Sequence, residues 1–184
     1  MINDEKKQLR KKVRQLKKMV PPEEKKARSN TIWEQLENLR EFKNNHTIMV
    51  YWSMDDEVYT HDFVRKWSGR KKIILPSVKG DELELRVFEG MQTMQPGEGY
   101  GIPEPAGIAF TKIDEIGLII VPGVAFDEDC NRLGRGKAYY DKLLKTASCT
   151  KIGVCFDFQI FPEVPVDKYD IRMDKVIAES EIWG

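Results

Sequence analysis

Short apolar runs, separated by helical patterns, constrain the fold of this chain more than any other feature. Residues 47–53 (TIMVYWS), 72–75 (KIIL) and 118–121 (LIIV) are apolar almost throughout. Strands without a polar face are buried on both sides, which is typical of parallel sheets covered by helices on both faces. The full set of strand candidates is residues 47–53, 72–75, 83–88, 118–121, 152–156 and 175–178. This pattern predicts an α/β fold in three α/β/α layers with a mainly parallel sheet.

Four helices are expected around these strands. The first carries Leu9, Val13, Leu16 and Val20 on one stripe. The first helix is predicted to run from Asn3 or Asp4 to Val20, and the second from Pro22 to Phe42. The third is predicted to run from Thr60 to Trp67, and the fourth from Lys137 to Lys145. Pro76 is expected to end the second strand, and residues 90–107 and 123–136 are expected to be long loops. With 184 residues and no internal repeat or linker, the chain is predicted to form a single domain over residues 1–184.

Composition excludes several classes of protein. With 41% hydrophobic and 33% charged residues, the chain is neither a disordered protein nor a membrane-embedded one. Thirty Lys and Arg balance thirty Asp and Glu, so no overall field attracts nucleic acid or anionic lipid. We expect no nucleic-acid partner and no membrane partner. The three cysteines lack CxxC spacing, which fits a reducing, cytoplasmic location.

The balanced total hides a basic N-terminal end. Residues 1–28 contain eleven Lys or Arg and four Asp or Glu, and the rest of the chain contains nineteen and twenty-six. Such asymmetry indicates that the basic end either docks on the acidic remainder or binds an anion. Lys6, Arg10 and Arg14 recur every four residues and form a stripe of their own. That stripe is either a solvated helix face or a contact for phosphate.

The segment after the apolar run 118–121 is the strongest candidate for a binding site. It places Arg132, Arg135 and Lys137 within six residues, separated by Gly134 and Gly136. Glycines let backbone N–H groups approach an anion, cations neutralise it, and the start of the following helix adds a favourable dipole. Neither GxxxxGK[ST] nor GxGxxG is present. The segment is either an anion-binding loop at the carboxyl end of a strand or a solvated basic turn.

Several acidic and aromatic residues have two interpretations. Asp141 either pairs with Lys145 one helical turn away or binds magnesium beside phosphates. Asp174 is equally ambiguous, and Glu57 lies either at a site edge or in a solvated acidic loop. Four aromatic residues are more often packing residues than stacking platforms: Trp52, Tyr100, Tyr139 and Tyr140.

Residues 121–144 (VPGVAFDEDCNRLGRGKAYYDKLL) closely resemble the signature of the 5-formyltetrahydrofolate cyclo-ligase family. Three further segments match at appropriate distances: Lys6 with Arg10, residues 53–57 (SMDDE) and residues 102–105 (IPEP). One position departs from the family pattern, because Ala138 stands where the family usually has glycine. A methyl group there can narrow the pocket or bias the backbone toward helix, and we expect it to be tolerated.

The resemblance implies a reaction and a fold. The family converts 5-formyltetrahydrofolate to 5,10-methenyltetrahydrofolate with ATP and Mg²⁺, releasing ADP and phosphate through an N-formimidoyl phosphate. The implied fold is Rossmann-like without a dinucleotide fingerprint. We expect a monomer, or a weak homodimer. Two rival functions are a nucleic-acid-binding module built on the basic helix, and a sugar-phosphate isomerase on the same fold.

The resemblance also implies roles for individual residues. Arg135 and Lys137 are the implied catalytic residues, and Asp141 and Asp174 the implied metal ligands. The implied ATP-binding residues are Lys6, Lys7, Gln8, Leu9, Arg10, Arg132, Leu133, Gly134, Arg135, Gly136, Lys137, Ala138, Tyr139 and Tyr140. The implied substrate-binding residues are Trp52, Glu57, Tyr100, Ile102, Pro103, Glu104, Arg135 and Tyr139.

Overall fold

Helices and strands alternate along the chain in the computed structural model, which describes residues 1–97 and 101–184. The helices are α1 (Ile2–Lys18), α2 (Pro22–Asn38), α3 (Arg40–Lys43), α4 (His61–Trp67) and α5 (Tyr139–Leu144). The strands are β1 (Thr47–Met49), β2 (Lys72–Lys79), β3 (Glu82–Val87), β4 (Met94–Pro96), β5 (Pro103–Pro105), β6 (Leu118–Pro122), β7 (Ala125–Phe126), β8 (Arg132–Leu133), β9 (Thr150–Val154), β10 (Lys175–Ile177) and β11 (Ile182–Trp183). Within these described ranges, no helix combines the length and apolar character needed to cross a bilayer.

Seven strands form the central sheet in the order β11-β10-β9-β6-β1-β2-β3. The five inner strands, from β10 to β2, are parallel to their neighbours. The two edge strands, β3 and β11, are antiparallel. The predicted α/β fold with a mainly parallel sheet is confirmed, and the sequence did not predict β11.

Side chains on the inner strands alternate between two cores. Ile48 and Val50 point into a core that contains buried residues of α2, α3 and α4, whereas Met49 points into a second core that contains Leu144 of α5. Each of these four side chains, on β1, at the residue that follows it and on α5, is at most 1% exposed. Since successive residues of a strand face opposite sides, strands apolar throughout are buried on both faces. This arrangement explains why the inner strands show no polar face.

The first helix lies apart from both cores. Its Val13 is buried against Val124, Ala125 and Leu133, so α1 packs on the β7–β8 hairpin beyond the carboxyl ends of the strands. The sequence predicted Leu9, Val13, Leu16 and Val20 as a continuous apolar stripe, but only Val13 of these is fully buried. The other buried residues of α1 are Lys6 and Lys17. The buried face of α1 is therefore partly cationic.

Strand β2 does not end at Pro76, as the sequence predicted, but continues to Lys79. The backbone hydrogen-bonding groups of Ile74 and Val78 point away from β3: the Ile74 carbonyl accepts a hydrogen bond from the Val50 N–H, and the Val78 N–H donates to Glu104. Pro76 lies midway between them and has the same orientation, so its missing N–H removes no hydrogen bond to β3. As a result, β2 and β3 form a long hairpin over the sheet edge.

Other differences from the sequence prediction are local. Both predicted long loops contain short hairpins, β4–β5 and β7–β8. The second helix ends at Asn38 because Leu39 is extended, with ψ 146°. The bend brings Phe42 of α3 against Phe63 and Trp67 of α4, at ring-centroid distances of 5.7 and 4.8 Å. Tertiary packing of Phe42 thus overrides the continuous helical pattern.

Replacing Gly153 with alanine tests the close packing of β9. A Cβ atom at this position would conflict with the fully buried ring of Phe126. Overpacking of this kind costs about 1–3 kcal/mol, so we expect Gly153→Ala to lower the free energy of unfolding in urea by that amount. Gly69→Ala is the matched control, because within residues 1–97 and 101–184 no atom beyond its two chain neighbours lies within 4 Å of its Cβ position. The control should change stability by less than about 0.5 kcal/mol, and equal losses in both variants would contradict the packing.

Candidate functional site

A cleft opens at the carboxyl ends of β1 and β6, with about 930 Å³ of empty space when its part open to solvent is included. From β1 the chain crosses to β2 on one side, and it later returns to β6 on the other side of β1. Such a reversal leaves a crevice where open α/β sheets bind ligands. The cleft is lined by Tyr51, Trp52, Met54, Glu57, Pro76, Val78, Leu83, Ile102, Pro103, Glu104, Pro122, Gly123, Arg132, Gly134, Arg135, Lys137, Ala138, Tyr139, Tyr140 and Asp141.

The glycine-spaced basic segment forms a tight turn at one wall of the cleft. Residues 134–137 lie between β8 and α5, and Gly136 has φ +102°, which favours glycine. Arg10 of α1 donates from Nε to the Gly134 carbonyl at 2.8 Å. Lys137 is exposed and lines the cleft. The first helix thus contacts the turn through Arg10, and the contact of Arg10 with phosphate stays a prediction.

Ala138, the position that departs from the family pattern, has φ +55° and ψ +17°. This left-handed conformation separates the turn from α5, which begins at Tyr139 and not at Lys137 as predicted. The alanine therefore does not extend the helix. It adopts the backbone conformation that a glycine would adopt more easily, and it lines the cleft.

Arg132 lies beneath the turn and is 5% exposed. Its guanidinium donates to the Pro122 carbonyl at 3.1 Å and to Asp141 Oδ2 at 3.0 Å, while its buried Nε has no partner among the described residues. Asp141 Oδ1 also accepts the Ile171 N–H at 3.1 Å. The partner of Asp141 is therefore Arg132, and the alternative pairing with Lys145 is wrong. Arg132 joins the end of β6 to the start of α5.

Arg135 connects the turn to the acidic segment after β1. Its guanidinium lies 2.6 Å from Asp56 Oδ1 and 3.1 Å from Glu57 Oε1. Burial raises the pKa of Glu57 overall, although the positive charge of Arg135 opposes the shift. Burial by itself also raises the pKa of Asp56, but the charges of Lys17 and Arg135 outweigh it and lower that pKa. The loop containing Glu57 is thus part of the site and is not a solvated acidic loop.

A second wall of the cleft is mostly apolar and aromatic. Trp52 is 7% exposed and stacks on His61 with 3.8 Å between ring centroids. Ile102, Pro103 and Glu104 line the same wall. The Glu104 carboxylate accepts hydrogen bonds from Ser77 Oγ at 2.7 Å and from the Val78 N–H at 3.1 Å, so it fastens β5 to β2. Tyr100, predicted for the same wall, lies outside the described residues.

Some residues that the sequence assigned to the site lie elsewhere. Lys6 is buried away from the cleft lining, and its Nζ lies 2.7 Å from Asp167 Oδ2 and 2.5 Å from Asp170 Oδ2. Burial by itself lowers the pKa of Lys6, but these two carboxylates outweigh it and raise that pKa. Lys7 and Gln8 are exposed, and Leu9 packs against the Val13 cluster. The basic end thus docks, through Lys6, on the acidic remainder.

Asp174 is not brought together with Asp141 in the cleft. It is exposed at the amino end of β10, and its Oδ2 accepts the Lys151 N–H at 2.7 Å. Among residues 1–97 and 101–184, no group of three His, Cys, Asp or Glu side chains could hold a metal ion. Of the carboxylates that line the cleft, that of Asp141 lies next to the turn and is enough to fit Mg²⁺, because this ion takes one or two carboxylates and completes its shell with phosphate and water.

Other site residues escaped the sequence analysis. Pro76, Val78 and Leu83 line the cleft because the β2–β3 hairpin folds over it, which required β2 to continue past Pro76. Met54 also lines the cleft, and it belongs to the 53–57 segment after β1. Asp56 lies in the SMDDE segment, so its position beside Glu57 was a usable signal. Nothing in the sequence distinguished Lys17, the buried partner of Asp56, from the other lysines of α1.

Comparison with known proteins relates the chain to one family. The family model described as the 5-formyltetrahydrofolate cyclo-ligase family matches residues 2–179. The chain belongs to this family. Its members are ligases, so the protein is an enzyme of that class.

Two relatives align with most of the chain. The mouse 5-formyltetrahydrofolate cyclo-ligase is 29% identical and covers 97% of this chain and 96% of its own. A probable 5-formyltetrahydrofolate cyclo-ligase from Schizosaccharomyces pombe is 31% identical and covers 85% of this chain and 86% of its own.

Among solved structures, the 5,10-methenyltetrahydrofolate synthetase of Aquifex aeolicus is 35% identical, with a TM-score of 0.87 over 97% of this chain and 91% of the other. The synthetase of Mycoplasma pneumoniae is 25% identical, with a TM-score of 0.76 over 95% of this chain and 99% of the other. Both solved structures thus share their fold with nearly the whole of this chain.

Replacing Ala138 with glycine tests the backbone conformation at the end of the turn. A left-handed conformation costs a non-glycine residue about 1–2 kcal/mol, and glycine loses part of that gain to its larger unfolded-state entropy. We therefore expect Ala138→Gly to raise the free energy of unfolding in urea by about 0.5–1 kcal/mol. Ala27→Gly, in the exposed middle of α2, is the matched control with the opposite expected sign. Destabilisation by both substitutions would contradict the observed conformation.

Proposed function

We propose that this cyclo-ligase converts 5-formyltetrahydrofolate to 5,10-methenyltetrahydrofolate with ATP and Mg²⁺, releasing ADP and phosphate. The observation that carries the proposal is the position of Arg135, which belongs to the cationic turn and also contacts Glu57 at 3.1 Å. Arg135 thus connects the cationic turn, which suits phosphate, to the acidic and aromatic residues of the same cleft. The names of the mouse and Aquifex aeolicus relatives support this substrate and product.

The turn has the chemistry that a nucleotide's terminal phosphates require. Gly134 and Gly136 leave the backbone N–H groups open to an anion, and Arg135 and Lys137 supply two cations at the cleft. Phosphoryl transfer needs positioning and charge neutralisation more than covalent help from the protein. The residues of the turn therefore match a site where ATP presents its γ-phosphate.

The metal in this proposal is held by Asp141. Its carboxylate lines the cleft beside the turn, and Arg132 fixes its orientation at 3.0 Å. Mg²⁺ bound there supplies charge neutralisation on the phosphate oxygens. The role of Asp174 stays a prediction from the sequence resemblance alone.

In this proposal the folate binds against Trp52, Glu57 and residues 102–104 of the cleft lining. The Glu57 carboxylate accepts ring N–H groups of the pterin, and Trp52 and the 102–104 segment cover its apolar faces. The tight burial of Glu57 strengthens such hydrogen bonds, because few waters compete for them. This orientation places the formyl group near Arg135, between the folate wall and the phosphate wall.

The reaction then follows from the charges around the formyl group. The formyl oxygen attacks the γ-phosphorus and ADP leaves, which gives an N-formimidoyl phosphate. Nitrogen 10 bonds to the formyl carbon and gives up its proton, the C–O bond breaks, and phosphate leaves with the electron pair and accepts that proton. Arg135 and Lys137 stabilise the negative charge that develops on the transferring phosphoryl oxygens. Phosphorylation makes a poor leaving group, the formyl oxygen, into a good one.

The direct test is a spectrophotometric assay of the purified protein with 5-formyltetrahydrofolate. With ATP and Mg²⁺ present, absorbance of the methenyl product should rise, with one ADP formed for each product molecule. Omission of either ATP or Mg²⁺ should abolish the signal. Full product formation without ATP would overturn the proposal.

Substitution of the two cations tests their role in the same assay. Arg135→Ala and Lys137→Ala should each lower turnover by about 10²-fold or more, because each removes a charge that stabilises the transition state. Lys145→Ala is the matched control, since Lys145 is exposed outside the cleft lining, and it should retain wild-type turnover. Near-wild-type turnover in both Arg135→Ala and Lys137→Ala would remove these residues from the mechanism.

A further inference from the structure

Asp56 is shared by two cations that approach it from opposite sides. Lys17 Nζ lies 3.0 Å from Asp56 Oδ2, and the Arg135 guanidinium lies 2.6 Å from Asp56 Oδ1. The Lys17 side chain is 6% exposed, while those of Asp56 and Arg135 are 40% and 36% exposed. Lys17 therefore faces the protein interior, and Arg135 faces the cleft.

Two carboxylates hold Arg135 in the observed arrangement. The second is Glu57, whose Oε1 lies 3.3 Å from Arg135 Nε and 3.1 Å from one of its terminal nitrogens. Two cations and two carboxylates thus form one local cluster: Lys17, Arg135, Asp56 and Glu57. A phosphoryl group that binds Arg135 has to compete with both carboxylates for the same guanidinium.

Lys17 weakens the attraction that competes with the phosphoryl group. Its positive charge neutralises Asp56 from behind and repels the guanidinium on the other side. Burial lowers the pKa of Lys17, Asp56 partly offsets this effect, and the charge of Arg135 lowers that pKa further. The two cations therefore interact through the shared carboxylate, although they lie on elements 118 residues apart in sequence.

We propose that Lys17 is a positioning residue that neutralises Asp56 so that Arg135 can move from the carboxylates to the phosphate of ATP. The inference rests on the proposed function, because it assigns Arg135 to the nucleotide. Without Lys17, Asp56 has Arg135 as its remaining cation and holds it more tightly. The tighter contact between Asp56 and Arg135 has to be broken when ATP binds. Removal of Lys17 should therefore raise the KM for ATP and leave kcat nearly unchanged.

A simpler role would be that Lys17 attracts the nucleotide with its own charge or only stabilises the fold. Attraction of the nucleotide by the charge of Lys17 would not depend on Asp56, and a purely structural role would change thermal stability without changing the KM for ATP. The double variant Lys17→Met with Asp56→Asn separates these roles, because removal of both partners also removes the excess hold on Arg135.

The experiment measures steady-state kinetics with ATP as the varied substrate and thermal unfolding of each variant. We expect Lys17→Met to raise the KM for ATP about tenfold and to change kcat less than about twofold. Asp56→Asn alone should lower the KM, by up to about threefold, because it removes a competitor for Arg135. The double variant should return to within about twofold of the wild-type KM, and Lys17→Arg, which keeps the charge, should do the same.

Lys18→Met is the matched control, because Lys18 is the exposed neighbour of Lys17 on the same helix turn, and it should leave the KM for ATP unchanged. Lys17→Gln provides a second neutral variant if Lys17→Met fails to fold. Additive effects without rescue by Asp56→Asn, or loss of thermal stability with an unchanged KM, would overturn the inference alone. A wild-type protein that forms no product with ATP would overturn the proposed function and this inference with it.

Discussion

Strands β1 and β6 lie side by side and parallel, and the chain leaves their carboxyl ends toward opposite sides of the sheet. The acidic, aromatic segment 51–57 and the segment 122–141 are therefore forced to face each other across one crevice. The other features of the cleft depend on this change in the direction in which the chain crosses the sheet. The β2–β3 hairpin closes one side because β2 continues over the sheet edge, and α1 supports the turn because the β7–β8 hairpin offers it an apolar surface.

The cleft and the helix beside it hold several charges in ion pairs, so a chain without net charge brings cations and carboxylates together at one place. Lys6, Lys17, Arg132 and Arg135 each lie within 3.1 Å of a carboxylate oxygen. Ion pairing orients Arg132 and the two lysines, whereas Arg135 has to leave its carboxylates before it can bind another anion. The basic end docks on the protein through Lys6 and Lys17, and Arg10 supports the turn from the same helix.

Local sequence patterns predicted the parts of this protein that depend on local chemistry. The apolar runs predicted the inner strands, and the spacing of arginine, lysine and glycine predicted the turn at 134–137. Long-range pairing could not be predicted: Lys6 and Lys17 are buried because Asp167, Asp170 and Asp56 meet them from distant segments. The left-handed Ala138 was also missed, because alanine ordinarily favours helix and only the tertiary turn imposes this conformation.

In the proposed function, the glycine-spaced cationic turn binds the terminal phosphates of ATP next to the residues that bind folate. A crystal structure of the protein with a non-hydrolysable ATP analogue and Mg²⁺ would show whether it does. We expect phosphate oxygens within hydrogen-bond distance of the 134–136 backbone and of Lys137, with the Arg135 guanidinium moved from Asp56 to the phosphate. A nucleotide bound elsewhere, with residues 134–137 facing solvent and Arg135 still paired with Asp56, would contradict it.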